Sequence, residues 1–371
     1  MPKRDFQYSN STSSEMSNQR TSWVTWQHFV WLQIPNITRI SQLLQSISRM
    51  QVPSILDILA GRDYHGHMER VNRASVCYSM SRKNKPVIRV NPQEPFCFET
   101  MDAYGDRLLR KGDSFTKDMW SRVNPATGPV FIEGASRGDI LCVDVMDIKV
   151  RGFAAMFVER NFGTLGRHIT CNETKIYPIR RNALIVNDKL SLRIKPMIGV
   201  IGTAPEGRAV LNGTPGEHGG NMDCGVITRG TSVYLPVGVK GALLCAGDIH
   251  ALMGDGEVCI CGAEVSGEIT LKARIARFFI PTPCVETSTH IYFISSAKTL
   301  DEAEHGVLEK TFAFLNRCLK LKPNEAARIM SLTGDLQVCQ VVDPLKTMRF
   351  ALPKQVIKAF SDGKKFSFTF H

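Results

Sequence analysis

The stretch Val265-Ser-Gly-Glu-Ile-Thr-Leu-Lys272 decides the fold class. Its apolar residues Val265, Ile269 and Leu271 alternate with polar residues. Because successive side chains of a strand point to opposite faces, this alternation is typical of a β-strand with one buried face and one polar face. The stretch therefore predicts a sheet that covers a core on one side.

Other segments share this alternating pattern and are separated by turns rich in glycine and proline. They are Pro86–Val90, Phe96–Thr100, Asp139–Val150, Thr231–Val239 and the whole of Val258–Lys272. Helical spacing of apolar residues comes late, in Thr299–Lys320 and in Lys322–Leu332, where Pro323 suits a first helical turn. The sequence predicts a mostly β (α+β) protein with a sandwich- or barrel-type core and a few C-terminal helices.

The first 65 residues differ from the rest. Met1–Ser22 is polar, and Trp23–Leu32 carries three of the chain's four tryptophans. We expect residues 1–65 to be an N-terminal extension, disordered or unrelated to the domain that follows, and residues 66–371 to form that domain.

Composition narrows the function classes. The net charge is +11, but the lysines and arginines are scattered and form no basic stripe, so we expect no nucleic-acid partner. No run of about 18 apolar residues occurs, which predicts no membrane span. The eleven cysteines have no framework spacing, which favours reduced thiols and a cytoplasmic location.

Two glycine-rich loops carry the residues that could do chemistry. They are Gly216-Glu-His-Gly-Gly-Asn-Met-Asp223 and Gly247-Asp-Ile-His-Ala-Leu-Met-Gly-Asp-Gly-Glu257. Carboxylates and imidazoles are the ligands that divalent metals take in proteins. Each residue alone could be an ordinary turn residue, but the set together favours a metal site. Its members are His218, Asp223, Asp248, His250, Asp255 and Glu257.

Cys259 and Cys261 follow directly. On a strand they would share the face of Glu257 and could act as ligands or nucleophiles, although such cysteines are more often small buried apolar residues. P-loop, His-Glu-x-x-His and dinucleotide motifs are absent from the sequence.

Several stretches, in this order, resemble the acetamidase/formamidase family from about His67 to the C-terminus. They are Val76–Pro86, Phe98–Asp102, Asn124–Ala135 with Gly138-Asp139, the two glycine-rich loops, and Gln340–Arg349. One departure is Met253, which stands where the family commonly has a glutamine.

The resemblance implies a β-rich homo-oligomer that hydrolyses small formamide- or acetamide-like amides to ammonia and a carboxylate. It also implies a divalent metal, zinc before calcium, held by His218, Asp223, Asp248 and Asp255. Glu257, His250 and Glu264 would be the catalytic residues, with Glu257 the first candidate for proton transfer, and Glu133 a secondary site candidate. Two alternatives stay open: a Cys-dependent C–N hydrolase, and a non-catalytic β-domain with a structural metal.

Overall fold

A computed structural model describes residues 68–361 of the protein. The expected extension, residues 1–65, lies outside the described residues, so its boundary with the domain stays a prediction. Within the described range the strands, numbered in chain order, are β1 Glu69–Val71, β2 Val76–Cys77, β3 Ser79–Met80, β4 Ile88–Val90, β5 Pro95–Thr100, β6 Ala126–Ile132, β7 Ile140–Val150, β8 Phe153–Val158, β9 Glu173–Arg180, β10 Ala183–Asn187, β11 Leu190–Arg193, β12 Met197–Gly202, β13 Val210–Leu211, β14 Gly219–Asn221, β15 Ser232–Pro236, β16 Leu244–His250, β17 Glu264–Val265, β18 Gly267–Ala276, β19 Cys284–Glu286, β20 His290–Ala297, β21 Asp335–Gln340 and β22 Lys346–Pro353. The α-helices of this range are α1 Leu300–Arg317, α2 Pro323–Thr333 and α3 Lys354–Phe360.

Two large sheets form the body of the described residues. The first has nine strands in the order β1-β5-β18-β7-β15-β19-β20-β22-β21. The second has eleven strands, with the path β11-β10-β9-β8-β17-β16-β12-β14; β6 pairs with β16 and also with β2 and β4. A mostly β fold is therefore confirmed, and the sheets are open and do not close into a barrel.

The main core lies between these sheets. Leu271 of β18 and Val143 of β7 pack in the same apolar cluster as Ile198 of β12 and Ile249 of β16. The alternation in β18 places Ile269 and Leu271 fully in this core, while Glu268, Thr270 and Lys272 are only half-buried. The predicted face of this strand is confirmed.

A second core lies between the first sheet and the helices. The side chains of Val307 and Phe314 from α1 pack in one cluster with Phe293 of β20 and Phe350 of β22. Thr299 caps α1, because its hydroxyl accepts a hydrogen bond from the backbone N–H of Glu302 at 3.2 Å. The two predicted late helices are confirmed as α1 and α2, and Pro323 is at the start of α2.

One predicted strand is wrong in its first half. Residues 258–263 lie outside any strand, Glu264–Val265 is β17 of the second sheet, and β18 of the first sheet begins only at Gly267. Glu257 and Ile260 have φ values of 46° and 105°, which an extended strand cannot contain. Cys259 and Cys261 therefore lie in a loop.

Replacing Leu271 by alanine should lower the free energy of unfolding by about 2–5 kcal/mol, because the side chain is fully buried between the sheets. Lys272→Ala, the next residue on the opposite face, is the matched control and should change it by about 0.5 kcal/mol or less. Denaturant titration of both variants measures the difference; equal values would contradict the sandwich core.

Candidate active site

The site is built on strand β16, in the middle of the second sheet. This strand lies between β12, β17 and β6 and carries Asp248 and His250 near its end. Asp248 has a φ of 54°, so the chain leaves regular strand geometry at this residue. The carboxylate of Asp248 reaches the Nε2 atom of His250 at 3.5 Å.

Three further carboxylates approach the same nitrogen. Glu264 of β17 is the cross-strand partner of His250, and its Oε1 lies 3.1 Å from Nε2. Asp223, which follows β14, lies 3.7 Å away, and Glu257, from the loop after β16, lies 3.9 Å away. We call Asp223, Asp248, Glu257 and Glu264, together with His250, the acidic cluster.

The backbone of the acidic cluster is strained. Asp223, Asp248 and Glu257 all have positive φ, at 42°, 54° and 46°. Non-glycine residues rarely adopt this conformation, and such residues concentrate at functional sites. The surrounding sheet therefore holds three of the four carboxylates in place against a local conformational preference.

The carboxylates are buried and only partly paired. Each has one oxygen without a hydrogen-bond partner, Oδ1 in Asp223 and Asp248 and Oε2 in Glu257 and Glu264. Burial raises the pKa of Asp223 well above its ordinary value, and the neighbouring Asp343 adds to the shift. Burial also raises the pKa of Glu257, with Asp223 adding to it, and the pKa of Glu264. Such an arrangement requires either bound protons or a cation, because unpaired buried charges are strongly destabilising.

The Nε2 atom of His250 faces the carboxylates, and its Nδ1 atom faces the sulfur of Met253. Burial would lower the pKa of His250, but the carboxylates of Glu264 and Asp248 outweigh this and raise the pKa well above its ordinary value. Its Nδ1 lies 3.2 Å from the sulfur of Met253. Met253 thus contacts the imidazole on the side opposite the carboxylates.

A contact between two loops completes the site. The N–H of Gly256 donates to the carbonyl of Cys339 at 2.8 Å, and the N–H of Val341 donates to the carbonyl of Gly256 at 3.1 Å. This pairing holds the Glu257 loop beside the turn between β21 and β22, which carries Asp343.

The acidic cluster lies at one end of a cavity of about 460 Å³. Among the described residues, the lining includes all five members of the cluster together with Asn221 and Asp343. Aromatic side chains line much of the rest. A substrate in this cavity can therefore reach the carboxylates and the imidazole directly.

Comparison with known proteins identifies the family of the chain. The model of the Acetamidase/Formamidase family matches residues 82–213 and 207–299. The chain belongs to this family. The crystal structure of an acetamidase from Bacillus halodurans is 41% identical and has a TM-score of 0.77, covering 78% of this chain and 99% of its own. A predicted acetamidase/formamidase from Thermoanaerobacter tengcongensis is 39% identical, also with a TM-score of 0.77, covering 79% of this chain and 98% of its own.

Curated members of the acetamidase/formamidase family are more distant in sequence. The formamidase of Methylophilus methylotrophus is 26% identical over 307 residues, which are 63% of this chain and 74% of that protein. Across the curated relatives the match spans 61% to 74% of their length.

Two residues of the expected acetamidase/formamidase site lie apart from the acidic cluster. The carboxylate of Asp255 is held by Arg349, whose guanidinium donates to it at 3.0 and 2.6 Å. His218 is buried, and burial lowers its pKa to about 4, so it is neutral. It is not among the described residues that line the cavity or that form a possible metal-binding group.

The other candidates are also placed. Glu133 forms a half-exposed ion pair with Arg89 at 2.6 Å. The Cys261 thiol donates to the carbonyl of Phe157 at 3.4 Å, and burial raises the pKa of both Cys259 and Cys261. These thiols therefore stay protonated and are poor nucleophiles.

Sequence reasoning missed three polar residues of the site. Asn221 donates to Asp343 at 2.8 Å, and burial raises the pKa of Asp343 to about 8. The side-chain amide of Asn124 lies 3.4 Å from Asp248 and donates to it. All three stand inside stretches that carry the family resemblance, but nothing in their spacing marked them as site residues.

Proposed function

We propose that this protein hydrolyses the C–N bond of a carboxamide and releases ammonia and a carboxylate. The observation that carries the proposal is the acidic cluster at the end of a cavity. Relatives named as formamidase and acetamidase, and solved acetamidase structures at about 40% identity, support the same reaction.

We further propose that the acidic cluster holds a divalent cation. Two overlapping groups have suitable ligand atoms within 4.8 Å of one another: Asp223, Asp248 and His250, and His250, Glu257 and Glu264. The unpaired oxygens fit this role, since a cation compensates both their desolvation and their mutual repulsion. One imidazole nitrogen among carboxylate oxygens suits zinc better than calcium, which takes oxygen ligands. A cation bound there supplies Lewis acidity, which polarises an amide carbonyl and makes water more acidic.

The set proposed here differs from the one expected from sequence. His250 joins Asp223 and Asp248, because their ligand atoms converge, and Glu257 and Glu264 of the second group lie beside them. Asp255 is left out because Arg349 already holds its carboxylate, and His218 because it is not part of the convergent groups.

The side chains of the cluster can divide the remaining work. Glu264 orients His250 through the shortest contact, 3.1 Å. Glu257 is farther from the imidazole, at 3.9 Å, and lines the cavity, so it can accept a proton from water and return it to the departing amine. The amide of Asn221, beside Asp343, can orient a polar group of the substrate.

Neither alternative explains the site as well. A Cys-dependent hydrolase needs a thiolate, and the thiols of Cys259 and Cys261 are held protonated by burial. A structural metal site is closed by protein ligands, whereas the acidic cluster opens onto a cavity.

The test is ammonia release from formamide and acetamide before chelation, after chelation, and after adding back zinc or calcium. We expect chelation to abolish release and the correct ion to restore it. The same ion should raise the melting temperature of the chelated protein, because an ion at 100 times its Kd stabilises the folded state by about 2.7 kcal/mol. Full activity after exhaustive chelation would contradict the cation; a folded, cation-loaded protein that releases no ammonia from any amide would contradict the hydrolase.

The assembly and the location of the protein stay predictions. We propose a homo-oligomer, a dimer or larger, in the cytoplasm. Within residues 68–361, no helix has both the length and the apolar composition needed to cross a membrane.

A further inference from the structure

The cavity is far larger than the smallest amides need. Its volume is about 460 Å³. Formamide displaces at most three waters, or roughly 90 Å³ at ~30 Å³ per water. A formamide held at the acidic cluster would therefore leave most of the cavity to solvent, with little contact to hold it in place.

The wall beyond the cluster is a continuous strip of aromatic rings. Phe115 contacts Tyr104, Phe157 and Trp120, with ring centroids 5.8, 4.9 and 4.8 Å apart. Trp120 in turn stacks on Phe162, with centroids 5.1 Å apart and an angle of 20° between the ring planes. All five rings line the cavity.

The strip runs from the interior to the surface. Tyr104 and Phe157 are buried, Phe115 is half-buried, and Trp120 and Phe162 are 36% and 45% exposed. Tyr104 is the buried end of the strip, and both Tyr104 and Glu264 line the cavity. An apolar group attached to an amide at the cluster would thus extend along the rings toward solvent.

The charges of the cavity set a second limit on its ligand. Among the described residues that line it there are five carboxylates and no lysine or arginine. An acyl group that carries its own carboxylate would meet repulsion, and no lysine or arginine of this lining would compensate it. The lining favours a neutral substituent.

From the volume, the rings and the charges together, we propose that the cavity selects primary amides with a neutral aromatic acyl group, such as arylacetamides, over formamide and acetamide. This inference rests on the proposed amide hydrolysis and names its substrate class. The carboxamide would lie at the acidic cluster. The aryl ring would pack against Phe115, in the space between the cluster and the Trp120–Phe162 pair. Burial of the ring then contributes to binding in both ground and transition states.

The test compares kcat/KM for phenylacetamide and acetamide in the cation-loaded full chain. We expect phenylacetamide to exceed acetamide by at least about tenfold, the discrimination that an apolar pocket reaches. Phe162→Ala should lower the ratio of the two constants by about threefold to tenfold, through loss of one ring of the wall. Phe279→Ala is the matched control, because Phe279 is 48% exposed and stands outside the cavity against Arg317.

Each outcome either supports or overturns the inference. Acetamide cleaved as well as phenylacetamide would overturn the inference and leave the hydrolase proposal standing. An equal loss of kcat/KM on both amides in Phe162→Ala would also overturn the inference. The ring would then support folding or contact another chain, and it would not contact the acyl group. If neither amide is cleaved, calorimetric binding of phenylacetamide decides the inference. At least about tenfold tighter binding than acetamide, weakened by Phe162→Ala, supports it; equal or undetectable binding overturns it.

Discussion

Asp223→Asn is expected to reduce amide hydrolysis by at least about 100-fold while making the cation-free protein more stable. The carboxylate is buried, leaves Oδ1 unpaired, and faces His250 and the acidic side chains of Asp343 and Asp248. Asparagine has the same shape and tolerates the positive φ of 42° at this position. It removes a negative charge that the metal-free site must otherwise neutralise by protonation.

Two measurements check this prediction together. Ammonia release should fall, and the melting temperature in the presence of a chelator should rise by a few degrees, since removing a buried unpaired charge stabilises by about 1–3 kcal/mol. The rise on adding zinc should shrink or vanish. Asp188→Asn, at an exposed position, is the matched control and should change neither quantity. Retained activity in Asp223→Asn would remove this residue from the proposed cation set.

Gly199→Ala should also reduce hydrolysis by about 100-fold, by displacing two carboxylates at once. A Cβ atom on Gly199 would lie 2.5 Å from Oδ1 of Asp223 and 2.5 Å from Oδ2 of Asp248. Both side chains would have to move, and a displacement of about 1 Å in a catalytic arrangement can lower the rate by about 100-fold. Gly199 lies in β12 without a positive φ, so the backbone itself accepts alanine and the steric contact is the cause.

The control for Gly199→Ala is Gly207→Ala, whose Cβ would meet no atom within 4 Å. Activity, zinc-dependent melting and the melting temperature of the chelated protein should be compared in both variants. Overpacking at Gly199 should lower the free energy of unfolding by about 1–3 kcal/mol, which leaves the protein folded at room temperature. Unchanged activity at Gly199→Ala would show that the spacing of the two carboxylates is not critical.

The sequence predicts the strands well because their signal is local. Ile269 and Leu271 alternate with polar neighbours, and this period is the same in the structure. The late helices are equally local, since Thr299 and Pro323 mark where they start. The strand predicted for residues 258–263 does not form, because Glu257 and Ile260 adopt backbone conformations that tertiary contacts impose.

The candidate site is predicted in part, for the same reason. Asp248, His250 and Glu257 lie in one short glycine-rich stretch, so their joint role in a site can be suspected from their spacing. The pairing of Glu264 with His250 depends on strand register, which the sequence does not reveal. Asp255 shares the spacing of Glu257 but binds Arg349, a partner almost a hundred positions later in the chain. Asp343 reaches the site only because the turn between β21 and β22, which is distant in sequence, folds beside Gly256.

The pairing of Gly256 with Gln340 has a consequence for how the protein is made. A ribosome delivers the chain from its N-terminus, and the ordered pieces form as they emerge. The segments that carry Asp223, Asp248 and Glu264 emerge long before residue 340. Until β21 and β22 follow, the loop with Glu257 has no backbone partner there and the carboxylate of Asp343 is missing. The nascent chain therefore carries an incomplete candidate site until β21 and β22 have emerged.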